Sequence, residues 1–175
     1  MDASKIVRRF LVPSPAITLY YLAKSGAQIS PKAEVELSPH FAIGRQSVVS
    51  SFTKIKSSDG PLKIGSNVSI STGCFISSQY GGLEIGDHCL IGPNVSIIGN
   101  NYKYTELDTP LENQGITSKG IAIGRNVWIG AGCVILDGAT IGNNVIITPN
   151  SVVSSKLPDN TIASGTPAKV IFKRR

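Results

Sequence analysis

Cysteine, histidine and aromatic residues are all scarce in this chain: 175 residues hold three Cys, two His and 6% Phe, Trp and Tyr together. The cysteines form no C-x-x-C pair, which leaves neither a disulfide framework nor a thiolate zinc site and points to a reducing compartment, the cytoplasm. Two histidines, His40 and His88, fall short of the three protein ligands that a catalytic zinc usually needs, so no metal is expected and a carbonic-anhydrase-like activity is disfavoured. Long apolar runs are missing as well. The stretch from Phe10 to Ala23 is too short to span a bilayer, is broken by Pro13 and Pro15 and lacks a small-residue cleavage site, so neither a transmembrane helix nor a signal peptide is expected.

Charge of one sign is in modest excess, 17 Lys and Arg against 11 Asp and Glu, but the basic residues are scattered and cluster only at the termini. That spread suits a phosphate-bearing small molecule better than a duplex, and no nucleic-acid partner is expected. What is plentiful is glycine (18), proline (10) and aliphatic side chains within a 41% hydrophobic total. Such a composition fits one domain of many short strands and turns around an aliphatic interior, and disfavours a helical bundle.

A six-residue period runs through the chain, with an aliphatic residue often followed by Gly, then by polar turn residues. The marker series is Ile43, Val49, Ile55, Ile64, Ile70, Ile76, Ile85, Ile91, Ile97, Ile123, Ile129, Ile135, Ile141, Ile147, Val153 and Ile162. Nearly every step is six. The exceptions fall at every third marker: Ile55 to Ile64, Ile76 to Ile85 and Val153 to Ile162 are steps of nine, and Ile97 to Ile123 is a step of 26. Three hexads per coil would send all these insertions out of one corner of a triangular prism, a regularity that a false period would not show. Coils stacked about 4.8 Å apart would satisfy one another's backbone groups, with the marker column as the core.

The column reading places other residues too. Cys74, Cys89 and Cys133 sit four after a marker, where Val68, Val95, Val127 and Val145 also sit, which reads as core packing rather than nucleophilic chemistry. His88 falls three after its marker, in the column of Asn67, Asn126 and Asn144, a tight-turn position; His40 also reads as a corner residue. The insertion from Lys103 to Ala122 has no aliphatic period and carries Tyr104, Glu106, Asp108, Pro110, Glu112 and Gln114; a mixed polar and aromatic loop of this length favours a binding role. Residues 1–28 precede the repeat and read as a short helical cap on the first coil, with peripheral membrane contact through Lys5, Arg8, Arg9 and Lys24 as a weaker alternative. The repeat domain is placed at residues 29–172, and residues 173–175 read as a basic tail.

The stretch IAIGRNVWIGAGCVILDGATIGNNVIITPNSVVSSKLPDNTIASGTPAKV, from Ile121 to Val170, closely resembles the hexapeptide-repeat acetyltransferases, in particular the sugar O-acetyltransferases related to maltose and galactoside acetyltransferases. The resemblance covers residues 29–172, with NVWIGAG and SGTPAKV as its specific segments. It implies an all-β, left-handed parallel β-helix, against the usual right-handed crossover preference, and a homotrimer that binds acetyl-CoA between subunits. It also implies a sugar or nucleotide-linked sugar as acceptor, in surface-polysaccharide biosynthesis. By resemblance, Trp128 lies near the cofactor, Ala131 contacts the pantetheine, Pro149, Ser154 and Ser155 line the arm of CoA, and Lys169 and Lys173 approach its phosphates. Relatives often read T-K-D where this chain has Ser154-Ser155-Lys156, which displaces the Lys by one.

The family's loop typically opens with D-x-N-H-x-Y, whose His is the general base. Here the segment is Gly99-Asn100-Asn101-Tyr102-Lys103-Tyr104, so Tyr102 takes the His position and Gly99 that of the acid. A base with a pKa near 7 contributes about 10²–10⁴-fold in such chemistry, and a phenol near 10 is a poor substitute. Three readings stay open: another base, with His88, Glu106, Asp108 or Glu112 as candidates; transfer to an amino sugar, which needs a side-chain base less; or a ligand-binding scaffold trimer without efficient turnover.

Overall fold

The hexads close into a three-faced prism. The computed structural model describes residues 12–57 and 59–175, and its strands are two to six residues long. On each face, strands one coil apart pair in parallel. The first face runs from Gln28–Ile29 through Val48–Val49, Ser69–Ile70, Leu90–Ile91, Trp128–Ile129 and Ile146–Ile147 to Thr161–Gly165. A two-residue strand points one side chain in and one out. Hence Ile91 and Ile129 are buried while their neighbours Leu90 and Trp128 are exposed. The second face stacks Val35, Ile55, Ile76, Ile97, Ile135 and Val153, and the third stacks Ile43, Ile64, Ile85, Ile123, Ile141 and Leu157, all buried.

Backbone groups are met between coils rather than within them, as where Leu90 N–H donates to Val127 O (2.8 Å) and Trp128 N–H to Val145 O (2.9 Å). The coils approach so closely that a Cβ on Gly130 would lie 2.5 Å from Pro149 N, which is why a glycine follows the aliphatic marker there. The corner between the third and first faces turns through the left-handed region at Gln46, Asn67, His88, Asn126, Asn144 and Asn160, with φ from 55° to 60°. Asn tolerates that conformation, and Asn126, Asn144 and Asn160 link side chain to side chain at 2.8 Å each. Cys74, Cys89 and Cys133 lie in the core, free, and burial pushes each thiol above its ordinary value.

Three of the expected insertions leave the corner between the second and third faces, following Ile55, Ile76 and Ile97. The fourth does not exist. Leu157, only four residues after Val153, enters the third-face column opposite Ile141, and Ala163, not Ile162, lies opposite Ile147 in the core. Ile162 instead faces outward opposite Ile146 and pairs with Phe172. The last coil is therefore tightened by two residues rather than widened by three.

Both prism ends are covered. Helix α1 (Ser14–Ser25) lies on the first coil and buries Ile17 and Tyr21, whose ring meets Phe41 edge-on with centroids 5.3 Å apart. Gly26 ends it at φ 71°, donating to Leu22 O. At the other end Ala168–Lys173 folds back antiparallel on Thr161–Gly165. Lys5, Arg8 and Arg9 of the expected cap lie outside the described residues; Lys24 is exposed in the last turn of α1.

Candidate active site

The 26-residue step forms an arm that has no core of its own. Asn101–Tyr102 pairs antiparallel with Ile116–Thr117, Tyr102 opposite Ile116, and Lys103 N–H donates to Gly115 O (3.0 Å). Farther out, Gln114 ties the arm together. Its Nε2 donates to Glu106 O and Thr109 O, each at 2.7 Å, and its Oε1 accepts from Glu106 N–H at 3.1 Å. A short 3-10 turn, Leu111–Asn113, precedes it. Tyr104, Leu107 and Leu111 stand in solvent, Leu107 at 98% exposure. The prism resumes at Ile121, so Ile121 and Ala122 belong to the third face, and the insertion ends two residues earlier than its lack of aliphatic period suggests.

Three groups fasten the arm at its base. Tyr80 Oη accepts from Ser118 N–H (2.9 Å) and donates to Ile116 O (3.3 Å). Ser118 Oγ donates to Gly99 O (2.6 Å) and accepts from Gly81 N–H (3.1 Å). The Asp137 carboxylate accepts from Lys119 and Gly120 N–H. Beside this base a groove runs along the third face, lined by Lys63, Gly82, Glu84, Lys119, Ala122 and Thr140.

Tyr102 lies on the arm's first strand, 59% exposed. At the position of the expected acid, Gly99 is buried, and a Cβ there would sit 2.8 Å from Ser77 O, so this backbone leaves an acidic side chain no room. His88 is exposed at φ 60° on the corner between the third and first faces, as its column predicts; the arm leaves a different corner. Glu106 is engaged within the arm, where its Oε2 accepts from Thr109 Oγ1 at 2.9 Å. Asp108 and Glu112 are exposed. His40 is exposed at the start of the first third-face strand, its N–H donating to Ser38 Oγ.

Of the expected cofactor residues, four form one strip. Trp128 is 52% exposed on the first face. Ala131 and Pro149 occupy the same hexad position, one coil apart, at the corner between the first and second faces, where Asn150 N–H donates to Ala131 O (2.9 Å). Thr148 Oγ1 then donates to Ser164 Oγ (2.6 Å), and Ser164 pairs with Lys169 on the closing strand. Ser154 and Ser155 lie at the next corner, and Lys173 pairs with Thr161 at the far end of the closing hairpin, so one chain does not bring these three to the strip. Among the described residues no group of three or more His, Cys, Asp or Glu is placed to hold a metal. Sequence reasoning missed Tyr80, Ser118, Lys119 and Asp137; for Asp137 the available signal was an acid at a hexad position where the preceding coils carry Ser57, Ser78 and Gly99.

Two family models match this prism: the bacterial transferase hexapeptide (six repeats) at residues 120–155 and the hexapeptide repeat of succinyl-transferase at residues 82–99. The chain is 30% identical over 167 residues to a probable acetyltransferase of Mycobacterium tuberculosis, covering 95% of this chain and 55% of the relative. It is 32% identical over 121 residues to the putative lipopolysaccharide biosynthesis O-acetyl transferase WbbJ of Escherichia coli, covering 65% of this chain and 61% of that protein. The chain thus spans little more than half the length of these relatives. Among solved structures, a mutant of AntD, an N-acyltransferase from Bacillus cereus in complex with dTDP and coenzyme A, superposes with a TM-score of 0.76 at 20% identity, covering 90% of this chain and 88% of that one. The matched repeats and the shared fold show that this prism is a left-handed parallel β-helix of bacterial-transferase hexapeptide repeats.

Proposed function

We propose that this protein transfers the acetyl group of acetyl-CoA to a sugar or nucleotide-linked sugar, as a cytoplasmic homotrimer serving surface-polysaccharide assembly. The observation that carries this reading is the match to a probable acetyltransferase across 95% of the chain, together with Trp128 exposed on the first face and Ala131 and Pro149 stacked at the corner that follows it. The name of the Escherichia coli relative supports the polysaccharide setting. In this reading Trp128 and Ala131 flank the pantetheine, Pro149 shapes its path, and Lys169 meets a phosphate as a point charge. Ser154 and Ser155 sit at the next corner and Lys173 at the far end of the closing hairpin, and in this reading they join the strip only across a subunit boundary. The exposed row Val48, Leu90 and Trp128 on the first face, continued by Val170 and Phe172, supports packing against another copy.

Tyr102 bears on the kind of acceptor. Among the described residues neither His40 nor His88 belongs to the arm, and the backbone at Gly99 leaves no room for the acid that would orient an imidazole. An ammonium can lose its proton to solvent first, after which the neutral nitrogen attacks the thioester carbonyl, the carbon–sulfur bond breaks, and the proton shed by the attacking nitrogen passes to the departing CoA thiolate or to solvent; a hydroxyl needs its proton removed during attack. Amino sugars are therefore the preferred acceptors in this reading. The competing reading, a trimer that binds ligand without turnover, draws on the same missing base.

Calorimetry of acetyl-CoA on the purified protein tests the cofactor strip. Micromolar binding, on the order of −8 kcal/mol, weakened by Trp128→Ala and Lys169→Ala, is expected; no binding moves the assignment to a scaffold. Thiol release across a panel of amino and hydroxyl sugars then identifies the acceptor class, and a sedimentation mass three times 18.5 kDa checks the trimer.

A further inference from the structure

At the corner from which the arm leaves, the residue two places after the second-face marker is Ser57, Ser78 and Gly99 in three successive coils, each buried and each followed by an insertion. The next coil carries Asp137 at that place and has no insertion. Asp137 is 7% exposed. Its carboxylate turns back to the arm, where Lys119 N–H donates to both oxygens (2.8 and 2.9 Å) and Gly120 N–H to Oδ1 (2.9 Å). Lys119 and Gly120 are the last residues before the third face resumes at Ile121. Gly120 holds φ 90°, and its carbonyl accepts from Gly138 N–H (2.9 Å), so the exit is fixed from both sides.

A buried carboxylate is costly unless its oxygens are met, and charge-assisted bonds from two backbone amides meet them here. Hexad packing alone does not call for an acid, since the preceding coils fill this place with hydroxymethyl groups or hydrogen. We infer that Asp137 is a positioning residue for the arm, fixing the angle at which it leaves the prism and hence the placement of the acceptor that the arm would line. Tyr80 holds the same returning strand at Ile116 and Ser118, and Ser118 Oγ ties that strand to Gly99 on the outgoing side. The structural half stands on these contacts; the acceptor half rests on the acyl-transfer reading above.

Hydrogen exchange read by mass spectrometry over residues 116–121 of the full chain tests the first half. Asp137→Ala is expected to speed exchange there by about tenfold or more, with Asp137→Asn, which keeps one acceptor oxygen, intermediate. Tyr80→Phe, a change at an exposed side chain that leaves the prism core intact, is the second variant and is expected to speed exchange at Ser118. For the second half, the KM of the best amino-sugar acceptor should rise severalfold in Asp137→Ala while the KM of acetyl-CoA stays fixed. Unaltered exchange in Asp137→Ala overturns the hold of Asp137 on the arm, and faster exchange in Tyr80→Phe alone would assign that hold to Tyr80 instead. Faster exchange with an unmoved acceptor KM, or with both KM values moving together, overturns the positioning role. If the unmodified protein acylates nothing in the panel, the acyl-transfer reading and the acceptor half fall together, and exchange alone still decides whether Asp137 holds the arm.

Discussion

Residues 85–97 and residues 101–118 are neighbours in the chain, yet they are held in different ways. In the first stretch Ile85, Ile91 and Ile97 each lie between like residues of the coils before and after, so these core side chains are packed by repetition. In the second, order comes from a few individual bonds: the Tyr102–Ile116 pairing, the three hydrogen bonds of Gln114 and the fastening by Tyr80, Ser118 and Asp137. The prism is thus hard to disturb locally and costly to disturb at all. The arm is free to vary, and a family sharing one prism can place different chemistry upon it.

The sharpest way to break this division is to alter chemistry on the arm alone. Tyr102→His restores a base with a pKa near neutrality, and a positioned base contributes about 10²–10⁴-fold. A gain with hydroxyl acceptors, toward the lower end because Gly99 leaves the new imidazole without its acid, is expected in initial rates of thiol release. The denaturation midpoint should not move. No gain with any hydroxyl acceptor would remove Tyr102 from the active site and leave the arm without assigned chemistry.

A smaller effect comes from removing one group from each region. Ile135→Ala empties a fully buried place between Ile97 and Val153 and should cost about 2–5 kcal/mol in urea unfolding. Gln114→Ala deletes three hydrogen bonds, yet should leave the global midpoint within about 0.5 kcal/mol, because the arm opens without opening the prism. Limited proteolysis should nevertheless cut it faster within residues 104–113. A comparable loss of midpoint in both variants would mean that arm and prism unfold as one.

That contrast also explains what the sequence disclosed. A strict period reports columns, so the three faces, the buried cysteines, the left-handed turn at His88 and the corner that emits the arm were all legible from spacing. Ala131 and Pro149 entered by resemblance alone, although the spacing that sets them at one hexad position a coil apart was there to be read. The last coil misled because Ile162 resembles a marker, and only pairing shows that Leu157 fills the column first. Hydrogen bonds between a side chain and a distant backbone leave no periodic trace. Asp137 reads as an ordinary turn residue of its hexad, and Tyr80 as an exposed aromatic, until the returning arm is seen against them.

The smallest expected effect separates the regions by pH. Burial raises the thiols of Cys74, Cys89 and Cys133 above their ordinary value of 9.0, and burial, with a lesser contribution from Tyr20, pushes the Tyr21 phenol up to about 12. A group whose folded pKa lies above its unfolded value contributes stability that is fully present below the unfolded value and is lost as pH rises through the folded one. Prism stability should therefore begin to fall near pH 9, where unfolded thiols ionise, and fall further between pH 10 and 12 on account of Tyr21. Each group contributes at most about 1.4 kcal/mol per pH unit. The arm holds none of these groups, so Gln114→Ala should shift no part of the profile, whereas Tyr21→Phe should flatten its upper limb. Urea midpoints taken from pH 7 to 11 decide the matter. A flat profile in the unmodified protein would mean that the thiols and the phenol reach solvent, and a limb flattened by Gln114→Ala would tie the arm to the core after all.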